Sequence, residues 1–208
     1  MTQKAPHINQ YHVIAAVVAA ELNHTLSYCK QINLTASNAQ ATSARIGNAA
    51  LGFKALTGFI DDLACYTMKA ATDINALAHQ ASLLATKKTR TSAALKHFQL
   101  AQQKAKHAKY ATTINAAVKT AQLNHIEQTQ RFRHLITKME TQLVELKRNL
   151  RTANILASIC RIEACRVDVT NQTIFNDVAN RVDNLASLIR QRVDYAITLF
   201  NDSDDSAN

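Results

Sequence analysis

The sequence predicts an all-α protein built from elongated antiparallel hairpins that pack as an up-down four-helix bundle or coiled coil. Three observations predict it. Helix breakers are almost absent, with three glycines and one proline in 208 residues, and these are the residue types that most disfavour a helix interior. Apolar residues recur at steps of three and four along several long stretches, the signature of a helical seam. Strand signals are missing: there are no alternating β-branched runs and no Asn-Gly hairpins.

The first stripe is Tyr11, Ala15, Val18, Leu22, Leu26 and Cys29. Its "VIAAVVAA" segment, 13–20, resembles the core of a signal peptide, with "VAA" before Glu21 as a cleavage site. A single Lys precedes it, and the same residues fit a helix face, which is the reading adopted. A first helix of about 40 residues spans roughly 60 Å at 1.5 Å per residue. It must then reverse. All three glycines lie within "GNAALGFKALTG", 47–58. Gly47 followed by Asn48 reads as a helix end and turn, because Gly tolerates the backbone angles a tight reversal needs. Gly52 and Gly58 then fall on the returning helix, where a missing side chain admits a close partner.

A far-end reversal is expected between Lys87 and Lys109, with "TKKTRTS", 86–92, the most loop-like stretch. A second stripe follows in Phe132, Leu135, Met139, Leu143, Leu146 and Leu150, and a third in Ile174, Val178, Val182, Leu185 and Ile189. Between them, "VDVTNQT" reads as a second reversal, with Asp168 and Asn171 supplying the turn chemistry. The organisation expected is a first hairpin, 1–90, with its tip near 47–51, and a basic segment plus second hairpin, 91–208, with its tip near 167–172. The two form one continuous bundle. The segment between the tips exceeds two arms, so part of it must overhang, break or form an extra helix.

The net charge is +9 and unevenly placed. From Ile74 to Ile126 there is no Asp or Glu, but there are Lys87, Lys88, Arg90, Lys96, Lys104, Lys106, Lys109 and Lys119. Such a segment suits phosphates on nucleic acid or anionic lipid, or an acidic protein. Its only aromatics, Phe98 and Tyr110, are too few for a base-stacking platform, and no helix-turn-helix or zinc-finger pattern occurs.

Catalysis finds little footing. Asp61 and Asp62 point in different directions on a helix, and no HExxH, HxxxH, P-loop, dinucleotide fingerprint or nucleophile elbow is present. Cys29, Cys65, Cys160 and Cys165 form no CxxC pair and read as buried, reduced thiols of a cytoplasmic protein. No catalytic residue, metal or cofactor is therefore expected. No run of 18 or more apolar residues exists to span a membrane.

Two segments carry a family resemblance. In "QINLTASNAQATSARIGNAALGFKALTGFIDDLA", 31–64, the residues Gln31, Asn33, Leu34, Ala36, Asn38, Ala39, Ala44, Arg45, Gly47, Gly52, Phe53, Leu63 and Ala64 match a consensus without a gap. That consensus belongs to the cytoplasmic signalling tip of bacterial methyl-accepting chemoreceptors, which this stretch resembles. A second stretch, 154–186, resembles it with one residue inserted in the turn, through Asn154, Leu156, Ala157, Ile162, Glu163, Ala164, Arg166, Val178, Ala179, Val182, Leu185 and Ala186. Together they cover about 65 of the residues.

The resemblance implies a non-enzymatic signalling or adaptor protein, in which one chain carries two tips and imitates a receptor dimer, as a monomeric pseudo-dimer or a homodimer. Its partner would be a chemotaxis-type histidine kinase, a coupling protein or a receptor. The partner-binding residues carried over are Asn38, Arg45, Gly47, Gly52, Phe53, Ile162, Glu163 and Arg166. The family pattern is broken by Ser37, Ala41, Thr42 and Asn48 in the first tip and by Ile159 in the second, so each tip keeps a different subset. The alternatives are a nucleic-acid-binding bundle using the basic residues of 87–119, and a four-helix bundle that holds a small ligand or metal between its helices.

Overall fold

The computed structural model of the protein describes residues 8–106 and 111–205, and there the chain is helical almost throughout. Helix α1, Ile8–Ile46, ends in one 3-10 turn at Gly47–Ala50, and α2 returns over Leu51–Lys104. A second 3-10 turn, Ala111–Ile114, leads into α3, Asn115–Ala164, and α4 closes the molecule over Val169–Asp205. Each helix packs on two neighbours in the ring α1–α2–α3–α4, and the diagonal pairs scarcely touch. This is the up-down four-helix bundle that the three stripes predict.

The stripes supply the core. Ala15, Val18, Leu22 and Cys29 of α1, Met139, Leu143, Leu146 and Leu150 of α3, and Val182 and Ile189 of α4 are all buried. Many core positions are Ala, which lets the helices approach closely. Hydroxyls in the core bond back to their own helix: Thr35 Oγ1 donates to the Gln31 carbonyl at 2.8 Å, and Ser43 Oγ to that of Ala39 at 2.8 Å. Among the described residues each buried hydroxyl, including those of Thr25, Thr57 and Thr67, is satisfied in this way.

The two hairpins share one burial frame. Ile32, Thr35, Ala36, Ala39 and Ser43 are buried before the first turn, and Ala153, Leu156, Ala157, Cys160 and Ala164 before the second. Past the turns, Phe53, Leu56, Thr57, Ile60 and Ala64 correspond to Phe175, Val178, Ala179, Val182 and Ala186. The second turn is longer by one residue. Both turns lie at one end of the bundle, related by a pseudo-two-fold axis along it.

Several expectations need correction. "TKKTRTS" is not a loop: α2 runs through 86–92 and across the boundary placed at residue 90, and the chain reverses beyond Lys104. Lys and Arg are adequate helix formers, and neither Gly nor Pro interrupts the stretch. Gly58 makes no close helix contact, since a Cβ there would meet nothing within 4 Å. Ile174 is largely exposed, and its neighbour Phe175 takes the core position. Cys65 and Cys165 are exposed, while Cys29 and Cys160 are buried.

The helices differ in length, with α1 and α4 at 39 and 37 residues and α2 and α3 at 54 and 50. Since the tips are level, α2 and α3 continue past their partners by about 20 Å at 1.5 Å per residue. Ala85 is the last buried residue of α2, and on α3 the continuous core begins at Phe132. Beyond them lies a two-helix overhang, joined by Thr91–Gln128 and Gln102–Asn115 hydrogen bonds of 2.9 and 2.8 Å.

Candidate functional site

The tip is built from two unlike turns. Gly47 adopts φ 79°, a left-handed conformation that L side chains rarely take, and this lets α1 end and the chain fold back within four residues. The second turn has no glycine. There the Asp168 carboxylate accepts from the backbone N–H groups of Thr170 and Asn171, both at 3.1 Å, and from the Asn171 amide. Those bonds satisfy donors at the start of α4 and hold the Asp168 carboxyl below its ordinary range.

Beneath the turns, Phe53 and Phe175 stack across the bundle axis with ring centroids 3.7 Å apart. Phe53 is 1% exposed. The structure therefore places it in the core, where it supports the tip and presents nothing to a partner. Its Gly neighbour has a different role: a Cβ at Gly52 would run into the Glu163 carboxylate of α3. Glu163 in turn pairs with Arg166 at 3.4 Å. Arg45 lies exposed on α1, one guanidinium nitrogen 3.3 Å from Thr42 Oγ1. Asn38 lines a shallow groove between α1 and α4 with Thr35, Ile174, Asp177 and Arg181. The carried-over residues are thus split between two sides of the tip, and only Gly52, Glu163 and Arg166 form one cluster.

The outer α2–α3 face adds Phe59 and Ile155, which sequence reasoning passed over, to the carried-over Ile162 and to Ile159. Gly52 faces Glu163, and Tyr66 OH meets Asn149 at 2.7 Å and Glu145 at 3.4 Å. That antiparallel register brings Phe59 level with 155–159. Phe59, Ile155 and Ile162 are 58%, 60% and 61% exposed, and Ile159 is 37% exposed. Ile155, Ile159 and Ile162 follow the i, i+4, i+7 spacing of one helix face. The result is an uncovered apolar row beside the turns. The available signal was that these apolar residues remain once the core stripes have been assigned.

At the opposite end lies the basic overhang. Lys87, Arg90, Lys96, Lys104, Lys106 and Lys119 are exposed on it. Lys109 is outside the described residues. Lys88 is different: its ammonium sits 5.5 Å from the Phe132 ring centroid, capping the end of the core. Partial burial there, with Arg133 nearby, lowers its pKa.

Among the described residues no group of three His, Cys, Asp or Glu converges to hold a metal. Burial pushes the Cys29 thiol up to about 12 and the Cys160 thiol up to about 11, far from the thiolate that nucleophilic chemistry needs. Among the described residues no helix is long and apolar enough to cross a membrane. Comparison with protein-family models, with curated proteins and with solved structures finds no match to this chain.

Proposed function

We propose that this protein is a non-enzymatic signalling adaptor of the cytoplasm, which docks a partner protein through the tip of its bundle. The observation that carries the reading is the apolar row Phe59, Ile155, Ile159 and Ile162 lying uncovered beside the turns. Exposed large apolar side chains that cluster, rather than scatter, are the mark of an interaction surface. Glu163, half-buried, and Arg166, exposed, lie on α3 and just after it near the turns, and charged residues around an apolar centre are the usual anatomy of a protein interface.

The chemoreceptor-like spacing around both turns suggests the kind of partner: a chemotaxis-type kinase, its coupling protein or a receptor tip. Two hairpins in one chain, with a common burial frame, suit a molecule that stands in for a dimer of hairpins. On this reading Phe53 and Phe175 set the shape of the tip, and Phe59 and the three isoleucines make contact.

The test is a pull-down from native lysate at low and high salt, with bound proteins identified by mass spectrometry. A chemotaxis-type kinase, coupling protein or receptor retained at high salt, and lost from Phe59→Ala/Ile162→Gln protein that stays folded, supports the reading. A wild-type chain that retains none of these, or a variant that retains them unchanged, overturns it.

A further inference from the structure

The overhang places cations and apolar side chains together on its exposed surface. Lys96, Leu100 and Lys104 recur at steps of four on α2, all three exposed. Residues so spaced share one helix face. On α3, Lys119, Ile126 and Arg133 recur at steps of seven, again all exposed, with Leu123 one turn from Lys119. Leu100 is 52% exposed, Leu123 58% and Ile126 52%. In the four-helix region the positions in register with Leu100 (Thr72, His79, Thr86) and with Leu123 (Thr137, Val144, Arg151) are also exposed, so both leucines lie on outward faces, while Glu140 and Lys147, in register with Ile126, are partly covered. Among the described residues, none covers more than about half of Leu100, Leu123 or Ile126 on the overhang.

The charge is just as one-sided. Eight Lys and Arg and no Asp or Glu lie between Ile74 and Ile126, so the remaining chain contributes little of the net +9. The nearest acid in sequence beyond this segment, Glu127, is already paired with Arg131 at 2.6 Å. A field of one sign at one end of an elongated molecule orients it toward a polyanion.

Two polyanions are available, and the apolar residues decide between them. Nucleic acid offers phosphates to the lysines but nothing to exposed Leu and Ile side chains. For bases, the described part of the overhang presents only the half-buried Phe98 as a stacking ring. A bilayer surface takes both components at once: anionic headgroups meet the ammonium groups, and the interface below accepts the aliphatic side chains. We propose that the overhang is a docking surface for anionic phospholipid membranes, bound peripherally at the end opposite the tips. The bundle would then project its tip away from the membrane.

The test is vesicle flotation of the full chain, using phosphatidylcholine alone and phosphatidylcholine mixed with phosphatidylglycerol, with a duplex oligonucleotide as a parallel probe. Binding is expected only to the anionic vesicles and should weaken with salt. The Lys96→Glu/Lys104→Glu/Lys119→Glu variant should lose at least about 100-fold in affinity, since each cation near the surface strengthens binding roughly fivefold. The Leu100→Gln/Leu123→Gln/Ile126→Gln variant should lose the fraction that survives at high salt. Both sets are exposed, and circular dichroism confirms their helicity. Equal binding to neutral vesicles, charge variants that bind like wild type, or capture of the oligonucleotide without vesicle binding would each overturn the proposal. Phe59→Ala/Ile162→Gln protein should float like wild type, which separates this surface from the tip.

Discussion

Phe53 of α2 and Phe175 of α4 stack face to face across the bundle axis, 3.7 Å between centroids and 9° from parallel. Each is the first buried residue of its returning helix in the described structure, so the pair straddles the pseudo-two-fold axis between the hairpins. Truncating either ring leaves a void that the small Ala-rich core cannot collapse to fill. Phe53→Ala and Phe175→Ala should each cost about 3–5 kcal/mol in denaturant unfolding. The double variant should cost less than the sum by about 1 kcal/mol, because the rings lose the same contact.

The glycines make opposite predictions. Gly47 holds a positive φ, so Gly47→Ala should destabilise by about 1–2 kcal/mol even though its Cβ would meet no atom. Gly58 sits exposed inside a helix with open space around it. Gly58→Ala should therefore stabilise by about 0.5–1 kcal/mol. Thermal melts of the two variants should move in opposite directions.

How much of this was legible in the sequence depends on what each residue's signal measures. The fold was legible because spacing at three and four, with almost no Gly or Pro, admits few alternatives. Gly47 and Asp168 were legible because turn chemistry is local. Phe53 was misread because a motif match does not say which side of a helix faces inward, and the heptad frame from Phe53 through Ile60 places it in the core. The loop expected at 86–92 failed because Lys, Thr and Ser suggest a turn only when a breaker accompanies them. Ile162 was picked out by the family resemblance, but the row it belongs to was not legible, because its four members come from two helices and only the antiparallel register of α2 and α3 unites them.

The cysteines divide into two classes that labelling should resolve. Cys65 and Cys165 are exposed and should react with a thiol reagent in the native protein, whereas Cys29 and Cys160 should react only on unfolding. Burial holds Cys29 protonated up to about pH 12 against an ordinary value of 9.0. In the unfolded chain that thiol ionises near its ordinary value. Its contribution to stability is thus full below about pH 9 and is lost as pH rises toward 12. Denaturant midpoints measured across that window should fall, and Cys29→Ala should flatten the slope whatever it does to the midpoint at neutral pH.

Asp168 works at the acid end with the reverse sign. Its carboxylate caps α4 through the N–H groups of Thr170 and Asn171, which favour the ionised form and lower its pKa from 3.8. The cap's ionic contribution is therefore present above about pH 3.8 and is lost as pH falls through the lower, folded-state value. Asp168→Ala removes cap and charge together and should lower Tm by a few degrees at neutral pH. Asp168→Asn keeps a capping oxygen without the charge, so its loss should be smaller. The difference between wild type and Asp168→Asn should close on acidification, because protonation leaves both side chains neutral. Thermal melts of the three proteins from pH 7 downward would check this. A difference that persists undiminished at low pH would mean that the wild-type advantage comes from geometry and not from ionisation.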